Sequence, residues 1–162
     1  MSGKPLRLFV MDVDGTLTDG SICIAADGEI FKSFYVRDGM AIKHHLPAAG
    51  IQTAIITGRA SKIVASRAKE LDVHYVYQDV ADKAAVLCDL MNELGLSREQ
   101  VAYIGDDVND LPAMALVGWT ACPADSAEEV KRVCCHICRA NGGRGAVREW
   151  ADWLIEQKKS NE

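Results

Sequence analysis

The stretch 6–11, Leu-Arg-Leu-Phe-Val-Met, is apolar apart from Arg7 and runs straight into Asp12-Val13-Asp14-Gly15-Thr16. A short apolar run closed by a Gly-Thr turn reads as a buried parallel strand. The same device recurs along the chain. Residues 51–56 lead into Thr57-Gly58-Arg59, and residues 101–104 lead into Gly105-Asp106-Asp107-Val108-Asn109-Asp110. Between them, Asp82-Lys83 opens an amphipathic helix expected over 84–94. Strands alternating with amphipathic helices predict an α/β fold: a Rossmann-like, mainly parallel sheet flanked by helices. Such a sheet binds ligands beyond the carboxyl ends of its strands. The polar residues at these strand ends are therefore the candidate site.

Placing two carboxylates side by side in a buried turn costs several kcal/mol unless a cation neutralises them. An Asp-x-Asp pair at a strand exit asks for a hard ion, most simply Mg²⁺. A threonine hydroxyl and a glycine amide at the second strand end can donate hydrogen bonds to a phosphate. Lys83 sits near a helix N-terminus, which favours anions. Singly, each motif is also compatible with a solvated turn or a surface lysine. The ordered set, Asp-x-Asp, then Thr, then Lys, then Gly-Asp-Asp-x-x-Asp, is far more specific.

That set resembles the four motifs of the haloacid dehalogenase superfamily of phosphotransferases. Residues 34–39 (Phe-Tyr-Val-Arg-Asp-Gly), 55–59 (Ile-Ile-Thr-Gly-Arg) and 142–149 (Gly-Gly-Arg-Gly-Ala-Val-Arg-Glu) further resemble the capless 3-deoxy-D-manno-octulosonate 8-phosphate phosphatase family. The resemblance spans about residues 6–150. It implies Asp12 as nucleophile, Asp14 as general acid and base, and Thr57 and Lys83 as catalytic partners. It implies a Mg²⁺ site made by Asp12, the backbone carbonyl of Asp14, and Asp106, with Asp107 and Asp110 orienting water or Lys83. Substrate contacts are implied for Tyr35, Val36, Arg37, Asp38, Gly39, Gly58, Arg59, Arg67, Lys83, Asn109 and Arg144. One departure stands out: the helix after Gly39 is about one residue longer than the family pattern and carries Pro47.

The motifs specify a phosphate ester but not its alcohol. Arg59 and Arg67 lie eight positions apart, about 80° around a helix, so both can serve a substrate carboxylate. Arg67 is equally placed to pair with Glu70 at i,i+3. The resemblance favours a phosphorylated keto sugar acid. In relatives acting on the nine-carbon 2-keto-3-deoxynonulosonate 9-phosphate, an acidic residue tends to follow Thr-Gly; Arg59 argues against that substrate. A rival class, the signalling receiver domain, carries its phosphoacceptor after the third strand, whereas here the acidic pair follows the first. A non-catalytic oligomerisation module of this fold is the other alternative, opposed by the intact Asp12, Asp14, Thr57, Lys83 and Asp106.

A cap domain has no room. Only 42 residues lie between Asp14 and Thr57, and 22 between Lys83 and Asp106, against at least about 50 for an independent domain. One phosphatase domain over 1–162 is expected. Residues 21–26 and 29–36 flank Asp27-Gly28, a type I′ hairpin signal, and Ile22, Cys23, Ile24 and Ala25 put apolar groups on both hairpin faces. A projecting hairpin of that kind is an aggregation risk unless buried. The resemblance implies a homotetramer with hairpins packed together and neighbours closing each site. It also implies that the tail, about 140–162, reaches a neighbouring site through Arg144; an ordinary loop before a helix over 146–157 fits the residues as well.

The net charge of −5 argues against a nucleic-acid partner. No run approaches the ~20 apolar residues of a membrane span, and Met1-Ser2-Gly3-Lys4-Pro5 lacks a leader's apolar stretch. A cytoplasmic protein is expected, with a part in lipopolysaccharide biosynthesis implied by the resemblance. Lys158-Lys159 reads as a solvated tail. Cys134-Cys135-His136-Ile137-Cys138 reads as a strand, and no second ligand pair is spaced to complete a zinc site. Cys23, Cys88 and Cys122 look like small core residues, and His44, His45 and His74 like surface or packing histidines.

Overall fold

The computed structural model describes residues 4–160; the first three and the last two residues of the expected 1–162 domain lie outside them. In chain order the elements are β1 (Leu8–Met11), β2 (Cys23–Ala25), β3 (Gly28–Phe31), α1 (Val36–Met40), a π-turn (Ala41–His45), α2 (Leu46–Ala48), β4 (Gln52–Ile56), α3 (Lys62–Glu70), β5 (Tyr75–Tyr77), α4 (Lys83–Glu93), β6 (Val101–Ile104), α5 (Leu111–Met114), β7 (Trp119–Cys122), α6 (Glu128–Lys131), β8 (His136–Ile137) and α7 (Ala146–Ser160). Six strands form one sheet in the order β5-β4-β1-β6-β7-β8, and every pairing is parallel. The chain moves outward from β1 to β4 and β5, then returns to β6 on its other side. That reversal makes a crevice at the strand tips.

Strand pleating explains why β1 is apolar throughout. Successive side chains point to opposite faces, and both faces are covered. Leu8 and Val10 join the core beneath α4, α5 and α6. Phe9 and Met11 join the core beneath the 36–48 helical segment, α3 and α7. All four are fully buried, at roughly 1.5–3 kcal/mol per large apolar side chain.

The helix starts carry their own signals. Ser61 caps α3, its hydroxyl accepting from the Val64 N–H at 3.2 Å, and Asp82 caps α4 by accepting from the Ala85 N–H at 3.0 Å. The helix after Gly39 is not regular. Ala41–His45 widens into a π-turn, a rare single-turn bulge within helical structure. Pro47 follows at the start of α2.

The hairpin differs from expectation. Its strands are shorter, and Ala25 pairs with Gly28, so the turn residues are Ala26 and Asp27. A type I′ turn needs positive φ at both central residues, and of residues 26–28 only Gly28 has it, at 128°. A register shift after Cys23 bends the ribbon. The terminal lysines also differ: α7 extends through both, and Lys158 Nζ donates to the Ala49 carbonyl. The 134–138 segment keeps only two residues of strand.

Asp38 illustrates tertiary capping. It is 1 % exposed, and its Oδ1 accepts the Arg148 N–H in the first turn of α7 at 2.9 Å, while Oδ2 has no partner. Burial outweighs the hydrogen bonds from the Arg148 and Gly145 backbone and lifts its pKa from 3.8 to about 6. The folded state therefore binds this proton more tightly than the unfolded chain. The stability it contributes is fully present below pH 3.8 and is lost as pH rises through about 6. At 1.36 kcal/mol per unit the change is about 3 kcal/mol. Asp38→Asn is expected to remove that fall, so urea unfolding of the variant should stay flatter across the window than the parent's. Parallel curves for the two chains would contradict the assignment.

Candidate active site

The site is built at the tips of β4, β1 and β6. Asp12 follows β1 directly, and its N–H donates to the Ile104 carbonyl of β6 at 3.1 Å. The turn beyond it is wound on one carbonyl: the N–H groups of Thr16, Leu17 and Thr18 all donate to Val13 O, at 3.1, 2.9 and 3.1 Å. This winding brings Gly15 against the next strand tip. A Cβ on Gly15 would lie 2.0 Å from Asp106 Oδ2, and φ there is +90°, so only glycine fits. Thr16 donates its hydroxyl to Asp106 Oδ1 at 3.2 Å.

Lys83 is the buried cation of the site. Its Nζ lies 2.9 Å from Asp12 Oδ1 and 2.7 Å from Asp110 Oδ1. As the first residue of α4 it sits at the positive end of the helix dipole, which disfavours an ammonium. Burial also works against its charge, but Asp12 and Asp110 outweigh both and raise its pKa. Asp110 is saturated: Oδ1 also accepts the Tyr103 hydroxyl at 2.7 Å, and Oδ2 accepts the N–H groups of Asp106 and Asp107 at 3.0 and 3.3 Å. Although its oxygens lie within 4.8 Å of those of Asp12 and Asp106, its lone pairs are spent on the scaffold.

Asp12 and Asp106 keep unspent oxygens. Burial, then Asp110, raise the Asp12 pKa against the pull of Lys83. Burial, then Asp12, push Asp106 up to about 8. Three carboxylates thus crowd around one ammonium, and burial with mutual repulsion disfavours their charges, a conflict that a divalent ion would relieve. The donors are all hard oxygens, which suits Mg²⁺. The residues present fit that cofactor.

Asp14 points differently. Its Oδ1 meets Lys32 Nζ at 2.5 Å, and its Oδ2 lies 4.0 Å from Arg59 Nε. Lys32 also pairs with Glu29 at 2.9 Å, and Glu29 accepts the Ser61 hydroxyl at 2.5 Å. The second strand of the hairpin is therefore clamped to its own domain, through Glu29 near the turn and Lys32 beside the Asp-x-Asp turn. Sequence reasoning missed Lys32, Glu29 and Tyr103. A tyrosine on an otherwise apolar strand was the one available signal, since its buried hydroxyl needs a partner.

The remaining predicted residues divide. Thr57 is buried at the tip of β4, while Gly58 and Arg59 beyond it are exposed. Val36, Arg37 and Asn109 are exposed, and Tyr35 precedes α1. Asp107 is exposed and caps its own turn through the Val108 N–H at 2.7 Å, rather than reaching Lys83. Asp38 faces the interior and α7. Arg67 pairs with Glu70 at 2.9 Å and stacks over the Phe34 ring at 5.6 Å. The glycine-rich tail lies on its own chain's site, with the Gly143 N–H donating to Thr16 O at 3.0 Å. A Cβ on Gly142 would meet Gly15 O at 2.0 Å. Arg144 is exposed beside Asp19.

Comparison with known proteins agrees with this architecture. The haloacid dehalogenase-like hydrolase family model matches residues 24–118. A 3-deoxy-D-manno-octulosonate 8-phosphate phosphatase of Haemophilus influenzae is 41 % identical over 157 residues, covering 96 % of this chain and 87 % of that protein. The cobalt-bound structure of the Haemophilus influenzae phosphatase superposes with a TM-score of 0.91 at 40 % identity, covering 96 % of this chain and 91 % of that one. The Moraxella catarrhalis phosphatase, solved with magnesium, phosphate and KDO, gives a TM-score of 0.91 at 39 % identity, covering 96 % and 89 %. With a shared fold over nearly its whole length and two-fifths of its residues identical to these proteins, the chain belongs to the haloacid dehalogenase-like hydrolases, in the 3-deoxy-D-manno-octulosonate 8-phosphate phosphatase family.

Proposed function

We propose that this protein is a Mg²⁺-dependent phosphatase that hydrolyses 3-deoxy-D-manno-octulosonate 8-phosphate to the free sugar acid and phosphate, with Asp12 as nucleophile. The observation that carries it is the Asp12 carboxylate at the β1 tip, held by Lys83 on one oxygen and with a ligand oxygen within 4.8 Å of one on Asp106. The Moraxella catarrhalis relative, solved with magnesium, phosphate and KDO, supports the substrate.

Asp12 attacks phosphorus and forms an aspartyl-phosphate as the sugar alkoxide leaves. Asp14 delivers a proton to that alkoxide, then takes one from the water that hydrolyses the intermediate. Lys32 holds Asp14 in place from the hairpin side. Thr57 and Gly58 donate to phosphoryl oxygens, and Lys83 offsets their charge. Asp12, the Asp14 carbonyl and Asp106 would hold Mg²⁺, whose charge lets an anionic nucleophile approach an anionic ester. Asp110 positions Lys83. Tyr35, Val36, Arg37, Asp38, Gly39, Arg59, Arg67, Asn109 and Arg144 surround the sugar acid, with Asp38 and Arg67 acting through the walls they support. Comparing kcat/KM for the eight-carbon and nine-carbon keto acid phosphates tests the substrate. A preference for the eight-carbon ester above about tenfold, or 1.4 kcal/mol in transition-state binding, is expected. A smaller ratio contradicts the substrate assignment.

The assembly proposed is a homotetramer built through the hairpins, in a cytoplasmic enzyme of lipopolysaccharide biosynthesis. Ile24, Ile30 and Phe31 of the hairpin are 60 %, 58 % and 55 % exposed, and Val36 next to it is 71 % exposed. Ile30 and Phe31 are successive on β3 and so expose apolar groups on both faces of the ribbon, which favours burial against another subunit. Among the described residues no helix is long and apolar enough to cross a membrane. Ile30→Asp is expected to shift light scattering from a tetramer to smaller species. A parent chain that scatters as a fully active monomer would contradict the assembly.

A further inference from the structure

At the β8 edge of the sheet, β8 and the first turns of α7 bring together three donors of different chemistry. The ligand atoms of His136, Cys138 and Glu149 all lie within 4.8 Å of one another. Strand alternation puts His136 and Cys138 on one face, and Glu149 arrives from α7. Their surroundings hold them in place. The His136 ring stacks on Trp150 at 5.1 Å and lies 5.2 Å from Trp153. Both Glu149 oxygens accept the Arg139 N–H, at 2.9 and 3.0 Å, and Oε2 also accepts that of Ala140 at 3.0 Å. Such hydrogen bonds to a ligating carboxylate fix its orientation.

A second, independent feature points to a ligand. His136 Nε2 is buried without a hydrogen-bond partner, and Glu149 Oε1 stands 3.6 Å away, beyond hydrogen-bond distance. The Cys138 thiol, 2 % exposed, has only the Ala146 carbonyl at 3.5 Å. An ion with bonds of about 2.0–2.3 Å to nitrogen, oxygen and sulfur fits among three such atoms after a small contraction.

We propose that His136, Cys138 and Glu149 form a second metal site, selective for zinc-like borderline ions over Mg²⁺. A thiolate and an imidazole favour Zn²⁺, whereas the all-oxygen set of Asp12 and Asp106 favours Mg²⁺. Binding replaces the Cys138 thiol proton, which passes to solvent, so thiolate and carboxylate together neutralise the ion. The His136 and Glu149 side chains remain 21 % and 23 % exposed, so the cluster lies near the protein surface. The ion would tie β8 to α7 and so brace the 139–145 loop, whose Gly143 rests on Thr16 of the phosphatase site.

The test is a Co²⁺ titration of the full chain with Mg²⁺ in excess. One equivalent of cobalt should give a near-ultraviolet thiolate-to-cobalt charge-transfer band, which an all-oxygen site cannot produce, and Zn²⁺ should displace it. The band should vanish in Cys138→Ser and persist in Cys135→Ser, which removes an exposed thiol. His136→Phe keeps the aromatic stack and should weaken cobalt binding by about tenfold or more. The parent spectrum alone decides if a variant fails to fold. No thiolate band in the parent, or a band surviving Cys138→Ser, overturns the site.

Discussion

Asp12→Asn should leave a folded chain that releases phosphate at least about 10⁴-fold more slowly, since a nucleophile is removed rather than repositioned. Folding should survive because the substitution relieves an electrostatic conflict. Asp12 is one of three clustered carboxylates, and burial with Asp110 already disfavours its charge. Lys83 loses one partner but keeps Asp110 at 2.7 Å. In the presence of a chelator the thermal midpoint of the variant should equal or exceed that of the parent. Phosphate release within tenfold of the parent, at about 1.4 kcal/mol of barrier, would remove Asp12 as nucleophile.

Lys83→Met should fail in both respects. It removes a cation that is 4 % exposed and leaves Asp12 and Asp110 facing each other uncompensated. Breaking a buried pair in this way typically costs about 3–5 kcal/mol. Activity should also fall, because no ammonium then faces the incoming phosphate. Adding Asp110→Asn should return part of the lost stability: the amide retains an acceptor for Tyr103 or the 106–107 amides and carries no charge. It should return none of the activity. Urea unfolding of the two single variants and the double variant forms a cycle. Additive losses of stability would show that Lys83 and Asp110 are not coupled.

The two chemistries were unequally legible from residues. The sheet was readable because β1, β4 and β6 each carry an apolar run that stops at a Gly-containing polar turn, so pattern and topology coincide. Asp12 and Asp106 meet because β1 and β6 are neighbours, and Lys83 reaches Asp12 from the first turn of α4. What stayed hidden depends on side-chain reach. Lys32 follows a projecting strand, and nothing in its local sequence says that its ammonium turns back to Asp14. Asp38 sits in a segment rich in substrate-type residues, yet its carboxyl is turned inward to the α7 backbone. The turn at Asp27-Gly28 was misplaced by one residue because Gly28 takes its positive φ as the first residue of β3, paired with Ala25, rather than inside the turn. The 134–138 cysteines lacked a visible partner because Glu149 joins them only through the fold.

The most direct measurement is chemical trapping. The full chain with Mg²⁺ and 3-deoxy-D-manno-octulosonate 8-phosphate is quenched into borohydride during turnover, which reduces an acyl phosphate to an alcohol. Peptide mass spectrometry should then find homoserine at position 12, and none when Mg²⁺ is chelated before substrate is added. Phosphate released at full rate with an unmodified Asp12, or with the metal removed, would contradict the account.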